Sequence, residues 1–323
     1  MFYYPGNLNL YQKNMKKNYL LMIALVAIVV LGAACSKDET SQEKDVTANL
    51  KITTNISEAY QATRSVVTSF SNSTIGVFVD YASGIYNPTV NSIANVTTGG
   101  STVSPTPAIY INADAKVYAW YPASENELEN PASNSTKVIE VLGEDTFGSE
   151  SQIDYLWATP TDVDKFTSSA NLAFNHALTK VVFRIKIGEN FEGNGILKEI
   201  LLSSDETTPF LSGNGTMAIS DGGISGLTPT NSLKYTGNET ITTTGSDIIT
   251  LVAPVELDDK TAIKFTIDDK VYSALLPVST ISTWVSGTSY TYNITVDGVE
   301  LYINNVVSIN DWSTGDSTDI DVK

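Results

Sequence analysis

The chain has 323 residues but only one cysteine, Cys35, and one histidine, His176. A lone thiol closes no disulfide within the chain, so stability must come from buried cores. One histidine and one cysteine make no His/Cys metal cluster. Arginine is nearly absent, with Arg64 the only one before Arg184. No Gly-x-Ser-x-Gly elbow, phosphate loop or dinucleotide fingerprint occurs, which removes the usual signatures of hydrolase and nucleotide chemistry. Ser41-Gln42-Glu43-Lys44 matches Ser-x-x-Lys, but it sits in a polar connector and reads as chance. Positive charge is also scarce. The formal net charge is −17, and it falls to −20 without Lys13, Lys16 and Lys17. Nucleic-acid phosphates would repel such a chain, and its surface would not cling to anionic lipid. Finally, no convincing amphipathic helix follows Cys35.

The chain does carry an export signal. Lys16 and Lys17 precede an apolar run over 20–31, then Gly32-Ala33-Ala34 and Cys35. A spanning helix needs roughly 20 apolar residues, whereas a signal-peptide core needs about 7–15. The stretch resembles a bacterial lipoprotein signal, with one departure: Gly32 stands where a large aliphatic residue is usual, and Leu31 lies one position earlier. Cys35 is then the lipidation site, and an ordinary secretory signal with an incidental cysteine is the alternative. Several acyl chains would anchor firmly, at about 0.8 kcal/mol per buried methylene, where one chain anchors poorly. Ser36-Lys37-Asp38-Glu39 resembles the signal that sends Bacteroidetes lipoproteins to the outer face of the outer membrane. The n-region points to Met15 as the start. We therefore expect a signal peptide over 1–34 and a lipidated flexible tether over 35–47.

The remainder reads as all-β. Thr, Ser, Val, Ile, Tyr and Asn dominate, residues that suit half-buried pleated surfaces. Leu50, Ile52, Thr54 and Ile56 alternate with Lys51, Thr53 and Asn55, predicting a first strand over 48–56. A polar connector over 57–65 contains Arg64, which reads either as a solvated loop residue or as an accessible protease site. Further strands are expected over 74–81, 108–111, 116–122, 137–142, 181–185, 196–203, 215–219, 248–254, 262–267, 270–276, 288–296 and 299–309. Asp268-Asp269 marks a tight hairpin turn. A polar, proline-marked stretch over 159–169 sets a boundary. Short strands with turn signals between them predict two tandem β-sandwiches, over 48–165 and 166–323.

Ordered fragments then carry a family resemblance: the signal ending at Cys35, Val117-Tyr118-Ala119-Trp120-Tyr121-Pro122, Asp154-Tyr155-Leu156, Leu172-Ala173-Phe174-Asn175-His176-Ala177-Leu178-Thr179-Lys180-Val181, Trp284 with Tyr290-Thr291-Tyr292, and Ile309-Asn310-Asp311-Trp312. Together they resemble the fimbrillin superfamily of Bacteroidales, in its fimbrillin-like or Mfa-like branch. The resemblance implies two transthyretin-like β-sandwiches and a surface lipoprotein. In stalk subunits it also implies a cut after an arginine beyond the first strand, and filling of the resulting groove by a C-terminal segment of a neighbour. Mapped here, the cut falls between Arg64 and Ser65. The donor knobs are Leu301 and Ile303, or Val307 and Ile309. Anchor and tip subunits share the fold and differ in these end features.

The rival readings are few. His176 is expected to be structural, bonding backbone at a bend. Asp258-Asp259 and Asp268-Asp269 are candidate calcium ligands, though acidic pairs in turns are usually solvated. Trp120, Tyr118 and Tyr121 are a candidate sugar-stacking platform. No cofactor is implied. The partners expected are other fimbrial subunits by β-strand addition, the outer membrane through the lipid on Cys35, and a host glycan or protein. A monomeric surface lipoprotein is the competing class, and no enzymatic activity is expected.

Overall fold

The computed structural model describes residues 48–56, 66–82, 92–124, 127–128, 132–147, 152–298 and 300–310. The signal peptide, the tether, Cys35, Arg64 and Ser65 lie outside these residues. Within them the chain is all-β, with strands and no helix. In chain order the first half holds β1 (Ala48–Asn49), β2 (Lys51–Ile56), β3 (Ser71–Tyr81), β4 (Ser92–Thr98), β5 (Tyr110–Ile111), β6 (Ala115–Tyr121), β7 (Thr136–Val141), β8 (Glu144–Thr146), β9 (Leu156–Ala158), β10 (Thr161–Val163) and β11 (Ser169–His176). The second half holds β12 (Thr179–Ile187), β13 (Ile196–Ser203), β14 (Phe210–Ala218), β15 (Ile224–Ser225), β16 (Thr228–Thr230), β17 (Ser232–Thr240), β18 (Ser246–Val252), β19 (Val255–Glu256), β20 (Ala262–Ile267), β21 (Lys270–Leu275), β22 (Thr283–Trp284), β23 (Thr288–Asp297) and β24 (Glu300–Asn310).

The first large sheet runs β2-β11-β9-β6-β3-β4, with β10 also on β6. It bends back on itself. The segment after β4 bridges both edges, through Ile93↔Thr106 and Ile52↔Val103. One apolar core fills its interior, from Leu50, Ile52 and Ile56 across Phe70, Ile75, Val77 and Val117 to Leu172 and Phe174. A second core lies between the sheet β18-β12-β23-β24 and the sheet β21-β20-β13-β17-β8. There Phe183, Phe265, Trp284 and Tyr292 are buried together. Trp284 Nε1 donates to Tyr292 Oη at 2.9 Å, and Tyr290 Oη accepts from Val285 N at 3.1 Å. These bonds satisfy the polar atoms of buried aromatics, and they account for the Trp-Tyr-x-Tyr fragment.

A third core joins the two. Phe78, Tyr118 and Trp120 on the first sheet meet Ile139, Val141, Met217, Ile219 and Leu251. The fragment around His176 passes through all three. Phe174 belongs to the first core, Ala177 and Leu178 to the joining core, and Val181 and Phe183 to the second. Sheet membership consequently does not follow the expected 165/166 boundary. β11 pairs with β2 and β9 of the first sheet. β7 pairs with β14, and β8 pairs with β17. The polar 159–169 stretch is only the turn region around β10, since a strand alternating like β11 can be claimed by either sheet. β4 lies in a Ser/Thr/Asn/Gly/Pro-rich stretch over 86–106 that reads in sequence as a loop or an edge hairpin, and Gly237 with its polar neighbours blurs the period of β17.

Candidate functional site in the first and last strands

β2 is the natural focus, because it is held on both sides. It runs parallel to β11 from Lys51↔Ser169 to Ile56↔Phe174. On its other side Leu50 N donates to Ile109 O at 2.8 Å. Ile52 exchanges bonds with Val103 at 2.9 and 2.8 Å, and Gly100 N donates to Thr54 O at 2.9 Å. The strand is therefore an inserted stave between β11 and the 100–109 segment. Its alternation is fully used: Leu50, Ile52, Thr54 and Ile56 are buried, while Lys51 and Asn55 are exposed. Outside, Thr53 Oγ1 donates to Asn171 Oδ1 at 3.2 Å.

The described residues resume at Val66. Val66 packs on the joining core and Val67 on the first core. Val67 N donates to Asp154 Oδ2 at 2.8 Å. The same carboxylate lies 2.9 and 3.1 Å from His176 Nδ1, with both side chains buried. His176 is thus structural, but its ring faces a carboxylate rather than the backbone group expected from the sequence. The backbone at the bend is served by Ser286 Oγ, which donates to His176 O and Ala177 O. Lys180 is buried nearby, and burial holds its ammonium below the usual lysine range, opposed by Asp154 and Asp247. The sequence marks Asp154 only by its place before Tyr155-Leu156.

At the other end, β24 is the edge strand of its sheet and runs antiparallel to β23, from Asp297↔Glu300 to Thr288↔Asn310. Leu301, Ile303 and Val306 are half-buried against the second core, while Tyr302 and Asn304 are exposed. Val307 and Ile309 pair through their backbones with Thr291 and Ser289, and their side chains lie outside the described residues. The register jumps between Ile294↔Ile303 and Asn293↔Asn305, leaving Asn304 as a bulge residue. Leu301 and Ile303, expected as donor knobs, therefore sit on the chain's own core.

The residues of the two rival sites are largely engaged within the fold. Trp120 is 0% and Tyr118 6% exposed, and Trp120 Nε1 donates to Glu127 Oε2 at 3.0 Å. Glu127 also pairs with the buried Lys137. Tyr118 and Trp120 serve the joining core, while Tyr121 is half-buried against the first core. Asp268 spends its carboxylate on Gly195 N (2.8 Å) and Ile196 N (3.0 Å), and Asp258 on Lys260 N (3.0 Å). Their oxygens therefore brace loops. Among the described residues, no group of three or more His, Cys, Asp or Glu is placed to hold a metal ion.

Comparison with known proteins agrees with this architecture. A candidate cell adhesion protein from Bacteroides uniformis superposes with a TM-score of 0.61 at 17% identity, covering 83% of this chain and 100% of its own. A second, from Bacteroides ovatus, gives 0.58 at 19% identity, covering 84% and 99%. A fimbrial protein from Bacteroides vulgatus gives 0.51 at 13% identity, covering 82% and 100%. At these identities the likeness is one of fold. No curated protein matches the sequence. The family model described as fimbrillin-like matches residues 63–312, most of the chain, and the protein therefore belongs to the fimbrillin-like family.

Proposed function

We propose that this chain is a structural subunit of a cell-surface fimbria. It is exported as a lipoprotein on Cys35, held at the outer membrane, cut between Arg64 and Ser65, and joined to further subunits by strand addition. In this reading the chain comprises two transthyretin-like sandwiches that divide at the bend after His176, with β7 and β8 reaching from the first half to strands of the second. The polymer supports adhesion to a host glycan or protein. The role is mechanical and needs no cofactor or catalysis.

One observation carries the proposal. β2 is an inserted strand bonded on both sides, and in sequence only the 57–65 connector separates it from the strands that follow. A cut at Arg64 would detach the lipid anchor and β2 from those strands together. Burying each of Leu50, Ile52 and Ile56 is worth roughly 1.5–3 kcal/mol. That sum is comparable to the roughly 5–15 kcal/mol that stabilises an ordinary domain. An open slot with unpaired backbone on both walls demands another strand, and strand addition supplies main-chain bonds and alternating side chains. β24 is a suitable donor, being a terminal edge strand with alternating apolar residues.

A second reading rests on a different observation. β24 is folded on its own sheet, as it would remain in a lipid-bound monomer or a fimbrial anchor. Brief trypsin treatment separates the two. The polymer reading expects a ladder of SDS-resistant oligomers whose first residue is Ser65. A product that stays monomeric and lipid-bound would favour the anchor.

A further inference from the structure

We infer that Thr54 is a release residue: it buries a hydroxyl without a partner where the second wall of β2 ends, and so loosens the end of the strand that a cut in the connector frees. This rests on the proteolytic reading above and assigns the residue that sets how readily β2 leaves.

Four alternate positions face inward here, Leu50, Ile52, Thr54 and Ile56, and all four are buried. Three are aliphatic and belong to the first core. Thr54 is the exception. It is 1% exposed, and its Oγ1 has no hydrogen-bond partner. The neighbouring Thr53 differs, because its hydroxyl points outward and donates to Asn171 Oδ1. Strand propensity does not ask for the inward hydroxyl. Valine is β-branched like threonine and suits a strand as well, and it buries no polar atom. An unpartnered buried hydroxyl shifts an equilibrium by about 5- to 150-fold towards states in which water reaches it. For a strand meant to stay, that is a defect. For a strand meant to leave, it favours departure.

The position of Thr54 matters as much as its chemistry, because β2 is held unevenly. β11 pairs along its whole length, from Lys51 to Ile56. The second wall covers only the earlier part. It begins with Ala48↔Ile111 and Asn49↔Tyr110. It continues through Leu50 with Ile109 and Ile52 with Val103, and it ends where Gly100 N donates to Thr54 O. Among the described residues, no backbone bond from that wall reaches Asn55 or Ile56. While the connector is whole, fraying at Ile56 opens only a short loop whose far end is packed at Val66 and Val67. Such a loop recloses at little entropic cost. A cut removes that restraint. The next inward position is then Thr54, whose hydroxyl gains a water partner as soon as it opens. Departure therefore starts at the 54–56 end, and the doubly bonded 48–52 part opens last.

The test is timed trypsin digestion of the full chain carrying Cys35→Ser, with products identified by mass. Two cuts are followed. The first falls after Arg64. The second falls after Lys51, whose backbone is paired with β11 and donates from N to Ser168 O at 3.0 Å, so it opens to protease only when β2 has left. The rate of the second cut then follows the population of departed strand. Thr54→Val should leave the Arg64 cut unchanged and slow the Lys51 cut by about 5- to 150-fold. Thr54→Ser keeps the hydroxyl and should not slow it. Asp269→Gly changes a turn of the second half and should alter neither rate, which separates release of β2 from general stability. Thermal midpoints of the Val variant at or above the parent's check that it folds. A Lys51 cut as fast in Thr54→Val as in the parent, or slowed equally by Thr54→Ser, overturns the role of the hydroxyl while the cut-and-release reading stands. No cut at Arg64, or a parent cut at Arg64 whose Lys51 stays protected, overturns both.

Discussion

Single residues here act mostly as braces at places where backbone would otherwise be unsupported. Asp268 and Asp269 form the two-residue turn between β20 and β21, both in the left-handed region at φ 48° and 65°. They look interchangeable in sequence but carry different loads. Asp268 accepts backbone N–H bonds from Gly195 and Ile196, whereas Asp269 makes only an exposed pair with Lys198, a type worth about 0–1 kcal/mol. Asp269→Gly should therefore leave stability unchanged or raise it by about 0.5–1 kcal/mol, since glycine adopts φ > 0 freely. Asp268→Gly should cost about 1–3 kcal/mol by leaving those donors unsatisfied. Denaturant melts of the two variants check the contrast. Burial alone would raise the Asp268 pKa, but the Ile196 and Gly195 N–H groups prevail and lower it. Its contribution is present above the ordinary aspartate value near 4, and fades as pH falls through the lower folded value. The Asp268→Asn penalty should shrink in the same acid range. Asp154 is the other brace. It holds the ring of His176 and the N–H of Val67 while fully buried. Asp154→Ala leaves those groups without their acceptor and should cost about 1–3 kcal/mol for each donor left unsatisfied, visible as a lower thermal midpoint.

At the scale of elements, β2 and β24 are opposites. β2 is central by bonding, with partners on both sides, although its pattern of alternating apolar and polar residues would equally suit a half-exposed edge. β24 is an edge strand, covered on one side only. Taking β2 out is therefore costly, and moving β24 leaves the remaining sheet β18-β12-β23 paired. Arg64-cut monomer, kept dilute enough to prevent addition, should melt well below the intact chain, by about 4–8 °C for each kcal/mol lost from a small domain. An unchanged midpoint would show that β2 stays seated after the cut. The glycine under Trp120 makes a related point about β3. A Cβ on Gly76 would collide with the Trp120 indole at Cε2. Gly76→Ala should thus displace the ring and cost about 1–3 kcal/mol or more, with a change in Trp fluorescence.

For the whole molecule, three cores are linked so that load entering one half reaches the other through packed side chains and through the β7–β14 and β8–β17 pairings. That continuity suits a subunit pulled from both ends. It also means that removal of β2 opens one core and leaves the other two without a lost strand. In cells, fimbrial protein sheared from the surface should begin at Ser65. A sheared product still carrying the 35–64 segment would return the chain to the anchor class.

The sequence by itself determined the all-β class, the first strand with its inward set, the Asp268-Asp269 turn and the last strand. Each follows from a period of two or from turn chemistry, which are local properties. It also carried the family, through short fragments kept in order. Partnership was decided only in the tertiary structure. Alternation says which side chains face a core but not whose core, so β11, β7 and β8 could not be assigned to their sheets. Burial of Trp120, the carboxylate beside His176 and the second wall of the β2 slot at Val103 and Ile109 join residues far apart in the chain. The bulge at Asn304 is the sharpest case. The residues of β24 permit two alternations, and only packing against β23 selected the one observed.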